Sequence, residues 1–403
     1  MKLIKRTEYL DRLISLNNTP DIKVITGIRR CGKSELVKAY IKYLKKAEPS
    51  ANIIFINLQE LENDELKEYH RLHSYITDHY KKGKHNVLII DEVQLCPQFE
   101  LTINSLHAKG GYDIYVTGSN AFLLSSDLST LFTGRTMEVE VFPFSFREYL
   151  QYFKPKEEIN RSFDQYVRTG GLPGAYVYED EKQRYDYVKE VYQTILERDL
   201  VRKYKIRNKE EFFRIADFMM DNISNLLSVN NICESLNAEK SQITNKTVSN
   251  YIGYLENAFL FYKAMRYDLR GKKYLKSNHK FYLSDPSIRY AILGTRNMDY
   301  GRVYENVVYM ELLRRGYDVY VGKLYKKEID FVATRQNEKL YIQVSDDISG
   351  EKTFKREYGP LLAISDAYPK MIIARTRHEQ YDYQGIVVQD LAEWLNITKK
   401  NRV

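Results

Sequence analysis

Residues Gly27 to Ser34 read Gly-Ile-Arg-Arg-Cys-Gly-Lys-Ser and fit G-x-x-x-x-G-K-[ST] at every fixed position. A loop of this kind turns its backbone N–H groups inward around a triphosphate, and glycine enters the backbone region this requires without steric cost. Gly27 and Gly32 supply that freedom, and Ile28, Arg29, Arg30 and Cys31 complete the cradle between them. Lys33 is expected to reach the β and γ phosphates, and Ser34 to place its hydroxyl on Mg²⁺. The flanks agree. Asp21 to Thr26 (Asp-Ile-Lys-Val-Ile-Thr) predicts a buried strand, and Glu35 to Leu44 a helix whose N-terminus faces the anion. ATP and Mg²⁺ are the ligands this pattern calls for.

Strand and helix alternate over the first 150 residues or so. Ile53–Asn57, Asn86–Asp91, Asp113–Thr117 and Met137–Val141 predict four more strands, and Glu62–Lys82 a polar helical stretch. Asn-Val-Leu-Ile-Ile-Asp at 86–91 is nearly all apolar, as a parallel strand buried on both faces should be. The expected fold is a P-loop NTPase of the α/β class, with a parallel sheet between helical layers.

Open α/β sheets bind ligands at the carboxyl ends of their strands, so Asp91 and Glu92 are expected to face the phosphate loop. Asp91 would hold the Mg²⁺ shell, directly or through water, and Glu92 would orient or deprotonate the attacking water. Val116-Thr117-Gly118-Ser119-Asn120 ends the next strand. Ser119 and Asn120 both suit contact with the γ-phosphate or the water, with Asn120 the choice, or else a helix cap. An extra strand between the phosphate loop and Asp91 points to the ATPase branch that carries a catalytic glutamate. Arg135, in Thr133-Gly134-Arg135, is a candidate to stabilise charge on the transferring phosphoryl, in its own copy or a neighbour's; the alternative is a solvated surface arginine.

These motifs, with Val-Phe-Pro-Phe-Ser-Phe-Arg-Glu at 141–148 and Gly-Gly-Leu-Pro at 170–173, resemble the prokaryotic AAA-type ATPases paired with a DUF4143 domain. The resemblance runs over almost the whole chain. It implies ATP binding through Gly27 to Ser34, with Asp91 and Glu92 as the second acidic motif.

The pattern changes at Phe142-Pro143. The expected division is an ATPase domain over 1–143, a helical connector over 144–208, a winged helix-turn-helix over 209–286 and, as the resemblance implies, a DUF4143-like, nuclease-like α/β domain over 287–403. Val229–Leu236 predicts the first short helix of the winged module. The second opens at Thr244–Ile252, with Val248, Ile252 and Leu255 on one face and Lys246, Asn250 and Tyr254 outward. A hairpin from Arg266 to Tyr282 carries Arg266, Arg270, Lys272, Lys273, Lys276 and Lys280 against one acid, Asp268. This is the layout of a winged helix, with Lys246, Asn250, Arg270, Lys272 and Lys273 as candidate contacts to duplex DNA. The alternative is a packing module with a solvated basic wing.

The tail resembles the core of restriction-endonuclease-like folds, which bind Mg²⁺ through an Asp and a Glu and use a nearby Lys. Glu305 and Asp330 fit that order, but Gln343 stands where a second acid is expected and Ser345 where the lysine is expected. Two neutral side chains bind Mg²⁺ poorly and supply no cation, so a nuclease-like fold without nuclease activity is expected.

With 62 Lys and Arg against 54 Asp and Glu, the charge is +8, which permits nucleic-acid contact without implying it. The three cysteines lack metal spacing, the start of the chain is charged too early for a signal peptide, and no apolar run is long enough for a bilayer. The expectation is a reduced, cytoplasmic protein with no membrane partner, and with duplex DNA, a protein partner or a second copy of itself as candidate partners. The 35 tyrosines attach to no motif.

Overall fold

The computed structural model describes residues 6–118, 132, 134–238, 242–295 and 298–397. The chain divides into two compact units, residues 1–142 with 257–259, and residues 143–256 with 260–403.

The first unit is built on five parallel strands, β1 (Ile22–Thr26), β2 (Asn52–Asn57), β3 (Asn86–Asp91), β4 (Tyr112–Thr117) and β5 (Thr136–Glu140), in the order β2-β3-β4-β1-β5. β1 and β3 are buried along their whole length, which is why both read as unbroken apolar runs. The exception on β1 is Lys23. Its stem is fully buried, and its ammonium is satisfied by Asp113 Oδ1 at 2.5 Å and by the Thr19 carbonyl at 2.6 Å. Among the helices are α1 (Thr7–Ser15), α2 (Lys33–Ala47), α3 (Tyr69–Asp78) and α4 (Phe99–Lys109). The expected helix over 62–82 is a 3₁₀ segment, Leu61–Lys67, followed by α3, because Glu68 breaks it by capping the amides of His70 and Arg71. β4 lies between β1 and β3, so the strand carrying Asp91 is not the neighbour of the strand entering the phosphate loop.

The second unit opens with helices at Phe146–Phe153 and Ile159–Thr169. The Phe-Ser-Phe-Arg-Glu motif is a helix start. Ser145 and Glu148 form a reciprocal capping box. The Gly-Gly-Leu-Pro turn has a packing reason. A Cβ on Gly171 would stand 2.2 Å from the Phe144 carbonyl oxygen, and the Gly171 amide donates to buried Asp285 at 2.5 Å.

Helices Val229–Ala238 and Asn245–Asn257 fall where the helix-turn-helix spacing puts them. Val248, Ile252 and Leu255 are buried as expected, and Lys246 and Asn250 are exposed. Tyr254 does not point out freely; its ring stacks on Tyr204 at 3.6 Å.

The hairpin that follows, β7 (Phe261–Asp268) and β8 (Lys273–Leu283), is not a free wing. It belongs to a nine-stranded sheet ordered β13-β14-β12-β11-β10-β9-β7-β8-β6. The remaining strands are β6 (Leu226–Leu227), β9 (Asp318–Leu324), β10 (Lys327–Arg335), β11 (Glu338–Ser345), β12 (Lys370–Ala374), β13 (Tyr381–Tyr383) and β14 (Ile386–Asp390). β7 pairs in parallel with β9, Arg266 opposite Val321. The hairpin thereby joins the sheet of the tail, and no boundary at 286 separates the two. Among the described residues, no helix is long and apolar enough to cross a membrane.

Candidate functional site

The loop Gly27–Gly32 leaves β1 and enters α2. Gly27 has φ 127° and Gly32 φ 104°, so both glycines stand where a side chain would be strained. A Cβ on Gly27 would also lie 2.1 Å from the Val141 carbonyl oxygen. Gly27→Ala is therefore expected to lower stability by about 2 kcal/mol or more and to weaken nucleotide binding with it. A thermal midpoint and a nucleotide affinity equal to those of the parent chain would contradict this.

Lys33 is 5% exposed and folds back across the loop, its Nζ 2.8 Å from the Gly27 carbonyl oxygen and 3.2 Å from that of Ile28. The other loop cations differ. Arg30 is exposed, at φ 67°, and Arg29 is half-buried. Ile28 and Cys31 anchor the loop in the core. Only Lys33 is held inside the cradle.

Asp91 ends β3 and is 2% exposed. The hydroxyls of Thr117 and Ser34 both hydrogen-bond its carboxylate. Burial pushes the Asp91 carboxyl above its usual range, with Glu92 adding to the shift while those hydroxyls and Lys33 oppose it. Hard oxygen donors facing a buried carboxylate suit Mg²⁺, whose charge would stabilise the ionised form that burial disfavours.

Glu92 follows in the left-handed region, φ 58°, and its amide donates to Thr117 Oγ1 at 3.1 Å. Gln94 Nε2 donates to Glu92 Oε2. The loop lysine and serine and both carboxylates thus lie at the carboxyl ends of β1 and β3, with β4 contributing Thr117 between them. Thr117 and Gln94 were not singled out by motif reading. Thr117 stands in the Val-Thr-Gly-Ser-Asn segment that was, and the signal missed was that the last residue of β4 must lie between the two motif strands.

Asn120, like Ser119, lies outside the described residues. Arg135 is exposed and precedes β5, whose Thr136 pairs with Ile22 and Glu140 with Thr26. It therefore lies beside the start of β1, while the phosphate loop leaves the other end of that strand. Five residues of strand put the two roughly 16 Å apart. This register sets Arg135 apart from the loop of its own copy, and a role in a neighbour's site would need a second copy.

In the second unit, the tail residues line a cavity of about 700 Å³. Glu305 comes from the helix Tyr300–Arg314, Asp330 from β10, and Gln343 and Ser345 from β11. Gln343 does not behave as a missing acid. Its carbonyl accepts the Asp330 amide at 2.7 Å, and its amide donates to Glu357 at 2.9 Å. Ser345 Oγ donates to the Asp347 carbonyl at 3.0 Å.

A lysine is present after all, but from β8. Lys280, expected on a basic wing, is 4% exposed. Its Nζ lies 2.9 Å from Glu305, 2.8 Å from Glu328 and 3.8 Å from Asp330. Burial works against its charge, and the three carboxylates outweigh burial, so its pKa is raised. With Tyr282 donating to Glu305 and Val344 N–H to Asp330, these groups form a satisfied polar network. Among the described residues, no group of His, Cys, Asp or Glu is arranged to hold a metal ion.

Asp330 carries a pH signature. Burial first, then Glu305, pushes its carboxyl up to about 8 from 3.8, against Lys280 and the Val344 amide. Between those values the folded chain keeps a proton that the unfolded chain has released. Stability should therefore fall as pH rises through that window, by at most about 1.4 kcal/mol per unit. Asp330→Asn is expected to remove this slope. Denaturant midpoints at several pH values check it; a difference between parent and variant that stays constant from pH 5 to 8 would contradict it.

Fold and site together define a P-loop ATPase domain of the AAA type. Residues 19–150 match the family model described as an AAA domain, and residues 160–299 one described as a domain of unknown function (DUF8612). The DUF4143 domain implied by the sequence resemblance was expected over 287–403; the family model matched beyond the ATPase domain is DUF8612, over 160–299. An uncharacterized protein of Haemophilus influenzae is 36% identical over 398 residues, covering 98% of each chain, and this chain belongs to the same family. The uncharacterized protein MJ1544 of Methanocaldococcus jannaschii is 27% identical over 370 residues, covering 87% of this chain and 80% of its own. Among solved structures, the Walker-type ATPase PABY2304 of Pyrococcus abyssi aligns with a TM-score of 0.47 at 16% identity, covering 72% of this chain and 95% of that one.

Proposed function

We propose that the chain binds ATP at Gly27–Ser34 and hydrolyses it to ADP and phosphate, and that its nucleotide state controls how the C-terminal half engages a partner. The observation that carries this reading is the convergence of Lys33, Ser34, Asp91 and Glu92 at one end of the parallel sheet. Lys33 leaves the Gly27 and Ile28 carbonyls for the phosphates. Ser34 and Asp91 hold Mg²⁺, which when bound neutralises phosphate charge. Glu92, released from Gln94, orients the attacking water and takes its proton. Arg135, on this reading, serves a neighbouring copy in a homo-oligomer.

The partner we propose is duplex DNA, read by Lys246 and Asn250 on the exposed face of a winged-helix module and held by Arg270, Lys272 and Lys273 at the hairpin turn. The tail is proposed to be a nuclease-like, DUF4143-type fold retained for structure, in a cytoplasmic protein. A second reading is a switch that binds ATP tightly, turns it over negligibly and engages a protein. The hydrogen bond from Gln94 to Glu92 favours it, because a glutamate so engaged is not free to act as base. An ATP-dependent nuclease is weaker, since Lys280 is spent on its carboxylates and Gln343 on Glu357. Phosphate release with and without duplex DNA separates these. Turnover that rises with DNA supports the first reading. Slow, DNA-independent turnover with retained nucleotide supports the second, and ATP-dependent DNA cleavage would overturn both in favour of the third.

A further inference from the structure

The hairpin end of the large sheet carries tyrosines that neither the ATPase reading nor the duplex contacts use, beside Arg270, Lys272 and Lys273, which the duplex reading shares. Tyr267 on β7 stands directly opposite Tyr274 on β8, with ring centroids 5.4 Å apart. Tyr320 on β9 closes the group at 5.1 Å from Tyr274 and 6.3 Å from Tyr267. Tyr267 and Tyr320 are half-buried against the apolar core of the tail, while the third ring is left open. Tyr274 is 56% exposed, and nearby Tyr325 and Tyr368 are 62% and 44% exposed.

Cations are laid among the rings. The Arg270 guanidinium sits 5.1 Å from the Tyr325 ring centre. Lys339, on β11, has its ammonium 4.8 Å from the Tyr368 ring and 6.0 Å from that of Tyr267. Lys272 and Lys273 are exposed at the turn between β7 and β8. Two neighbouring acids are already engaged. Asp268 accepts the amides of Arg270 and Gly271, and Asp366 accepts the Tyr341 hydroxyl and the Tyr368 amide. Asp318, exposed at the start of β9, is a third acid set against these four cations.

We propose that this surface binds single-stranded nucleic acid. Exposed tyrosines offer faces on which unpaired bases stack whatever their sequence, and interleaved cations follow the phosphates. A duplex buries its base faces and has no use for the tyrosines. An acidic peptide has use for the cations alone. The occupant that answers both features is a strand with free bases and a charged backbone. This goes beyond the ATPase reading and does not depend on it.

The test is fluorescence anisotropy of a labelled oligo-dT of about 15 nucleotides, long enough for a surface of this kind, titrated with the full chain at low salt without nucleotide. The expected result is saturable binding that weakens with salt and falls about tenfold or more in Tyr274→Ala and in Lys339→Ala. Tyr274→Phe keeps the ring and should keep the affinity, which separates stacking from mere fold maintenance. Without nucleotide in the assay, Lys33→Ala should bind the oligonucleotide as the parent does, so a failed ATPase assignment and a failed surface assignment are distinguishable. Four outcomes would overturn the proposal: no binding at low salt, unchanged affinity in Tyr274→Ala, equal competition by a duplex of the same length, or equal competition by polyglutamate.

Discussion

Replacing Lys33 by alanine should weaken ATP binding by roughly ten- to a hundredfold and abolish hydrolysis. A charged hydrogen bond to phosphate is worth about 1.5–3 kcal/mol, which sets the binding range. Hydrolysis suffers more, because charge grows on the transferring phosphoryl group and the ammonium is positioned for it. Arg30 is exposed, in the left-handed region, and Arg29 is half-buried. Lys33 alone is held within the loop, on the Gly27 and Ile28 carbonyls. Isothermal titration with ATP and a phosphate-release assay measure the two effects. A variant that turns ATP over at the parent rate would refute the loop assignment, provided its melting temperature shows an intact fold.

Glu92→Gln separates binding from chemistry. The amide keeps the shape of the carboxylate and can sit in the same left-handed backbone position, but it cannot take a proton. Mg·ATP affinity should stay within a few fold of the parent while turnover drops by about a hundredfold or more. An unchanged rate would move the base elsewhere, and Asp91 would be a poor substitute because its carboxylate accepts the Thr117 hydroxyl and, on this reading, is taken up by Mg²⁺.

The middle of the parallel sheet was legible because β1 and β3 are buried along their whole length, as the nearly all-apolar Asn86–Asp91 shows, whereas the edge strands β2 and β5 are only partly buried. The phosphate loop was legible because its chemistry is local: eight consecutive residues carry it. The rest of the site depends on sheet order. That Thr117 touches both Asp91 and Glu92 follows only once β4 lies between β1 and β3. The distance of Arg135 from the loop follows only from the β1–β5 register. Lys280 was misread for a related reason. In a run of alternating basic residues it looks like a solvated wing, and its nearest partner in sequence, Glu305, is 25 residues away on a helix. The tyrosines of the hairpin surface lie on β7, β8, β9 and two loops, so no periodicity brings them together before the sheet does.

The central claim is that this chain hydrolyses ATP with Glu92 at a site made by Gly27–Ser34 and Asp91. Single-turnover conversion of γ-labelled ATP, with protein in excess and Mg²⁺ present, tests it most directly. The expected result is conversion of bound ATP to ADP and phosphate by the parent chain, lost when Mg²⁺ is chelated and slowed at least a hundredfold in Glu92→Gln. ATP that binds and stays intact on the parent chain, or hydrolysis at the same rate in both proteins, would contradict it.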